Sequence, residues 1–128
     1  MDLTTLNLHE VEGDGVEMPL LHPGTGEETG VTFRVIGYDT EAVEAAGREA
    51  RNALMNGRAK TDQSEAMAKI RAARAKAALV DVTGGSGSTK TVEDFRKLMG
   101  NPGFVWIVEQ VEAFAGNRAS FFTSAETP

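Results

Sequence analysis

The 128-residue chain contains no cysteine. Disulfides, thiolate metal ligands and a cysteine nucleophile are excluded together, and the composition suits a reducing compartment. It has two histidines, His9 and His22, and neither has a second histidine at a metal-ligand spacing. No G-x-S-x-G nucleophile turn occurs. No apolar run approaches the roughly 18–20 residues of a membrane-spanning helix. The first residues lack the basic-then-apolar pattern of a leader. These absences set aside the enzyme, membrane and disulfide-scaffold classes. They leave the expectation of a soluble protein of the compartment where it is made, without catalytic residues, cofactor or metal.

Large side chains are also scarce, with one Trp, one Tyr and six Phe. The hydrophobic fraction is 41%, but alanine supplies much of it. Alanine buries little area, so the core is expected to be thin. A chain of this length makes one domain. Net charge is −6, unevenly distributed. Residues 1–50 hold 11 acids against 2 bases, residues 51–76 hold 7 bases against 2 acids, and residues 77–128 hold 6 acids against 4 bases. Such asymmetry suits acidic loops lying against basic helix ends in one fold, head-to-tail contact between copies, or a charged partner.

Local patterns predict an α+β domain. Residues 3–37 read as a β-hairpin or three-stranded meander. Leu6 and Leu8 alternate with polar neighbours, as do Val16, Met18 and Leu20, and Val31–Ile36 is the strongest strand signal. Pro19 has no N–H to give a ladder, so its strand belongs at an edge or a bulge. About four helices follow over residues 39–116. In the first, Asp39 or Thr40 is a candidate cap, Val43, Gly47, Ala50 and Leu54 share one face, and Glu44 and Arg48 are spaced to pair. Gly47 inside this helix implies close approach of another element. Asn56-Gly57 ends it. Asp62 caps the second helix, with Glu65 at the capping-box position and Ala66, Ile70, Ala73, Ala77 and Val80 as its apolar stripe. Thr91 caps a short third. The single domain runs to residue 122, and residues 123–128 are a polar tail expected to be disordered.

Two motifs point toward ligands and fall short. Gly84 through Thr91, after a possible strand at 77–82, looks like a phosphate-binding loop, but Thr89 stands where G-x-x-x-x-G-K-[ST] needs its second glycine. Lys69 and Lys76 lie on one flank of the second helix, Arg71 and Arg74 on the other. A nucleic-acid-binding helix gathers its bases on one face. A solvated amphipathic helix fits better, and neither a nucleotide nor a nucleic acid is expected.

The last helix, from about Gly103 to Ala115, is the richest segment. Phe104, Ile107, Val108, Val111, Phe114 and Ala115 form one core-facing stripe. Trp106 projects from the opposite side, in line with Gln110 and Ala113. Trp is enriched at binding hot spots. Trp106, Gln110, Phe121 and Phe122 are therefore the candidate partner-binding residues, set against the reading in which Trp106 packs under the sheet or the tail.

Two segments together resemble the tail assembly chaperone family of long-tailed bacteriophages, the lambda-type tail assembly proteins. The first is residues 21–40, where Leu21-His22-Pro23-Gly24-Thr25-Gly26-Glu27 leads into a strand and then a helix. The second is Phe104-Val105-Trp106-Ile107-Val108-Glu109-Gln110-Val111, continuing to Gly116-Asn117-Arg118-Ala119-Ser120-Phe121. Asn117 and Ser120 depart from the Asp and Asn common there. The resemblance covers about a third of the chain. It implies a non-enzymatic protein of the host cytoplasm, absent from the mature virion. Such a protein binds the tape-measure protein, keeps it soluble and promotes tail-tube polymerisation around it. The resemblance also implies a longer frameshifted form that recruits the major tail tube protein, and self-association into a homo-oligomer. The alternative is a structural head–tail joining or neck protein retained in the particle.

Overall fold

The computed structural model describes residues 2–56 and 62–122. The expected helix stop at Gly57, the bases Arg58 and Lys60, and the tail 123–128 lie outside the described residues. In chain order the elements are a 3-10 turn (Leu3–Leu6), α1 (Leu8–Gly13), β1 (Val16–Leu21), β2 (Glu28–Val35), α2 (Glu41–Asn56), α3 (Gln63–Ala78), β3 (Leu79–Thr83), α4 (Val92–Met99), a 3-10 turn (Pro102–Phe104), α5 (Val105–Ala115) and a last 3-10 turn (Arg118–Phe121). The α+β class is as expected. The sheet is antiparallel with order β1-β2-β3.

Two expectations about the β region are corrected. Residues 3–13 are helical, because Asp2 and Asn7 act as caps: their side chains accept from the Thr4 and His9 amides, each at 3.0 Å. The apparent alternation of Leu6 and Leu8 spans two short helices. The third strand comes after two helices. Leu79–Thr83 pairs with β2, which becomes the central strand, and Val80 lies exposed on β3 instead of in a helical stripe.

Sheet burial follows the pleat. Met18, Leu20, Phe33 and Val35 are buried on one face, while Glu17, Pro19 and Arg34 are exposed on the other. A half-wet antiparallel sheet buries alternate residues in this way. The helices cover the buried face. Phe95 of α4 meets Phe33 edge-on with ring centroids 5.0 Å apart, and Ile107, Val108, Val111 and Ala115 of α5 join the same core with Ala75 and Ala78 of α3. The α5 stripe is thus core, with Phe104 and Phe114 half-buried at its edges. β1 is an edge strand with an irregular register between Pro19 and Leu21, as Pro19 demands.

α2 and α3 pack as a helical pair. Gly47 faces the Arg74 stem, whose Cγ and Cδ lie 3.1 Å from where a β-carbon would stand. The close approach expected there is present. The expected cap and ion pair of α2 are not. Thr40 turns its hydroxyl back to the Gly37 carbonyl at 2.7 Å, and the Asp39 carboxylate is taken by Arg118. Arg48 pairs with Glu41 at 3.0 Å instead of Glu44. On α3 the residues buried outright are Ala75 and Ala78, while Ala66, Ile70, Ala73 and Ala77 of the expected stripe are half-buried. Asp62 caps α3 through the Ser64 amide. Thr91 caps α4 within a full capping box completed by Asp94.

The glycine loop after β3 is structural. Gly84 has φ +80°, and a β-carbon there would run into the Gly30 carbonyl. The loop closes through a Ser86–Thr89 bridge and delivers Thr91 to its cap. A phosphate loop belongs to a strand of a parallel sheet, and β3 is antiparallel to its neighbour.

Candidate functional site

The two segments that carry the family resemblance meet in space. Gln110 of α5 reaches the edge of β1. The Leu21 amide donates to Gln110 Oε1 at 2.9 Å, and Gln110 Nε2 donates to the Leu21 carbonyl at 2.8 Å. A side-chain amide here takes the place of a neighbouring strand. Seventeen residues on, the Tyr38 amide donates to the Ala115 carbonyl at 3.1 Å. Arg118 then grips Asp39 with two bonds, 2.9 Å from Nε and 3.0 Å from Nη2. The loop between is self-contained: His22 Nδ1 accepts from the Gly24 and Thr25 amides, so His22 is a loop organiser.

This arrangement explains the end of the motif. Asn117 caps the last 3-10 turn through the Ala119 amide, Arg118 pairs with Asp39, and Phe121 is buried against Phe114 with centroids 6.4 Å apart. Phe121, expected on or beside a contact surface, is therefore spent on the fold. Phe122 is half-buried beside it. Trp106 is also half-buried and packs against the core cluster. Gln110 is half-buried and engaged with Leu21. Of the four candidate residues, Gln110 alone lines a surface groove among those described.

That groove, about 370 Å³, runs between the β1 edge and α5. Met18, Pro19 and Leu21 form one wall, Gln110, Ala113 and Phe114 the other. Its lining, apolar apart from Gln110, Asn117 and Ser120, suits an extended or helical peptide better than a small polar metabolite. Gln110→Ala removes both bonds to Leu21. The expected result is loss of about 1 kcal/mol and faster hydrogen exchange at the Leu21 amide, with exchange in β3 unchanged.

A second groove, about 740 Å³, went unnoticed in the sequence. It lies between α3 and the corner joining α4 to α5. Ala72, Met99, Pro102, Val105 and Val108 line its apolar surface. Lys69 and Lys76 stand along its α3 side, with Glu65 one turn before Lys69. The α3 side of the groove carries no large apolar residue to signal a binding surface; its alanines leave the space open.

The two arginines of α3 are engaged, although Arg71 also lines this groove. Arg71 binds Glu112 through two bonds at 3.0 and 2.7 Å, and that guanidinium holds the Glu112 carboxyl below the usual carboxylate range. Arg74 lies over the Tyr38 ring at 4.7 Å. Burial, with Glu112 nearby, pushes the Tyr38 phenol up to about 12.

One buried acid stands apart. Glu12 of α1 is fully buried against Gly37. Its Oε1 accepts from the Asp39 amide at 3.1 Å, and its Oε2 has no partner. Burial, reinforced by Asp39, raises its carboxyl to about 7, while the two hydrogen bonds from Arg118 hold the Asp39 carboxyl down at about 2. Among the described residues no cluster of His, Asp or Glu could hold a metal ion, and no helix is long and apolar enough to cross a membrane.

Comparison with protein-family models, with curated proteins and with solved structures gave no match to this chain.

Proposed function

We propose that this chain is a phage tail assembly chaperone. It binds the tape-measure protein, keeps it soluble and promotes tail-tube polymerisation around it. It acts in the host cytoplasm as a homo-oligomer and leaves no copy in the mature virion. A longer frameshifted form recruits the major tail tube protein.

One observation carries the reading. The resembling segments, residues 21–40 and 104–121, are separated by three helices and a strand, yet Gln110–Leu21, Ala115–Tyr38 and Arg118–Asp39 join them into one unit. Their contact gives the two motifs a single place in the fold, as a shared role would need. The unit also borders an apolar groove along β1, whose edge Gln110 closes at Leu21. An apolar segment of a long helical protein could be shielded there from aggregation.

The test is co-expression with the product of a neighbouring long tape-measure gene. Soluble tape-measure protein that co-purifies with this chain is expected. Ala113→Arg fills the β1–α5 groove from an exposed position and is expected to abolish co-purification while leaving the thermal midpoint unchanged. If the tape-measure protein is equally insoluble with and without the chain, the reading fails. Recovery of the chain from purified virions would instead support the head–tail joining alternative.

A further inference from the structure

Residues 2–13 form an arm ahead of the sheet, and one side chain secures it. The turn Leu3–Leu6 has no buried residue, and the only buried residue of α1 is Glu12. Leu8 and Val11 are half-buried. A hinge joins the arm to β1. Gly15 has φ +77°, and Arg34 Nη2 donates to the Asp14 and Gly15 carbonyls at 2.6 and 3.2 Å. That clasp holds the start of β1 independently of the arm beyond it.

The slot that receives Glu12 is fitted to it. A β-carbon on Gly37 would collide with the Glu12 carboxyl. The Gly37 amide donates to the Glu12 carbonyl and the Asp39 amide to Oε1, each at 3.1 Å, while Oε2 has no partner. Three charged groups face the cluster. Asp39 lies just before α2, His9 stands one turn back on α1, and Arg118 lies on the last 3-10 turn. Arg118 is committed to Asp39 through two bonds. A Glu12 carboxylate in this slot would be buried, bare on one oxygen and beside a second carboxylate. Such a charge is costly to keep out of water.

We propose that Glu12 is a proton-operated latch. Protonated, it holds residues 2–13 against the last 3-10 turn. Ionised, it leaves the slot, and the arm swings out about Asp14–Gly15. The rest of the domain stays folded, because no buried apolar side chain of the core comes from the arm. α1 packs on the last 3-10 turn, which supplies Ser120 to the β1–α5 groove, with Asn117 just before it. The latch therefore lies behind one wall of that groove. The inference does not rest on the tail-assembly reading, because it concerns this chain alone.

The direction of the response follows from linkage. Burial lifts the docked carboxyl to about 7, and in the released arm it returns to its ordinary value near 4.5. Docking is complete below the lower value. It weakens roughly tenfold per pH unit between the two and levels off above the higher one.

The lack of cysteine allows a single nitroxide label at Glu10→Cys, an exposed position on α1. Paramagnetic broadening of amides 118–121 then reports docking. The ratio of docked to released arm is expected to fall about a hundredfold from pH 5 to pH 7. Broadening should fade by pH 8 while the amide shifts of β2 and β3 stay fixed. With Glu12→Gln added, broadening is expected to persist at pH 8. Glu12→Met, uncharged and of similar length, repeats that sample without the amide. Broadening that the chain with native Glu12 keeps through pH 8, or that both Glu12 variants lose as it does, would overturn the latch. Shifts that change throughout the sheet as broadening fades would mean that the domain opens as a whole, which overturns it equally.

Discussion

Glu12→Gln is expected to flatten the pH dependence of stability and to make the protein more stable than wild type above neutrality. Glu12 lies fully buried between Gly37 and the Asp39 amide, with one carboxylate oxygen unpartnered. Burial is the main cause that lifts its carboxyl to about 7. A raised carboxyl stabilises the fold while it is protonated. That contribution is complete below the unfolded value near 4.5 and is lost as pH climbs through about 7. Asp39 works in the opposite sense. Its carboxyl, lowered to about 2, stabilises the fold above about 3.8 and ceases to do so as pH falls through about 2. His9 and Arg118 also face Asp39, and both favour its charged form. The cluster is therefore most stabilising near pH 4–5. From there to pH 8 the wild type should lose on the order of 2 kcal/mol. Glutamine keeps the shape and the acceptor for Asp39 and has no charge to expose. Urea midpoints measured from pH 5 to pH 8 check this. A wild-type profile as flat as that of the variant would show that Glu12 finds solvation the fold does not display.

The largest loss of stability is expected at Phe33→Ala. Phe33 is fully buried on the central strand, and its ring meets Phe95 edge-on. Removing a buried Phe costs about 3–5 kcal/mol, from lost transfer energy and the remaining cavity. The neighbours are poorly able to close such a cavity. Ala75 and Ala78 are too short to reach in, and Val35 is fixed by its strand. A domain of this size has about 5–15 kcal/mol in total. Phe33→Ala should therefore lower the urea midpoint severely or leave the chain partly unfolded at 37 °C. Val80→Ala, on the exposed side of β3, should stay within about 0.5 kcal/mol of wild type. Equal midpoints for the two variants would mean that the core lies elsewhere.

The contrast between these sites shows which features a sequence reading can reach. Local signals are legible because they involve neighbours in the chain. Pro19 reports an edge, Thr91 reports a cap, Gly47 reports a close crossing, and the α5 stripe reports a core face. Long-range pairing leaves no such mark. Asp39 looks like a helix cap until Arg118 is seen to take its carboxylate. Arg48 has two acids in reach along one helix and chooses Glu41. Leu79–Thr83 follows α3 without a break, so its β-branched run reads equally well as the last helical turn. At the candidate site, Gln110 was recognised for its position opposite the stripe. Its two bonds to Leu21 depend on the tertiary fold. Trp106 stands off the α5 stripe and Phe121 lies beyond the helix end, and a thin core nevertheless takes in both.

Strand order has a consequence for how the chain reaches its native state. β2 is the central strand, yet one of its partners follows only after α2 and α3 in the chain. During synthesis the β1–β2 hairpin emerges first, its apolar face uncovered and one edge of β2 open. That edge is a template for pairing with any other chain. Closing the sheet must wait until the α2–α3 pair brings Leu79 back, and contacts this distant in sequence form slowly. The interval between hairpin and closure is the period of greatest exposure to aggregation. Substitutions that loosen the α2–α3 pairing, at Gly47 above all, should lengthen that interval and lower soluble yield more than they lower equilibrium stability.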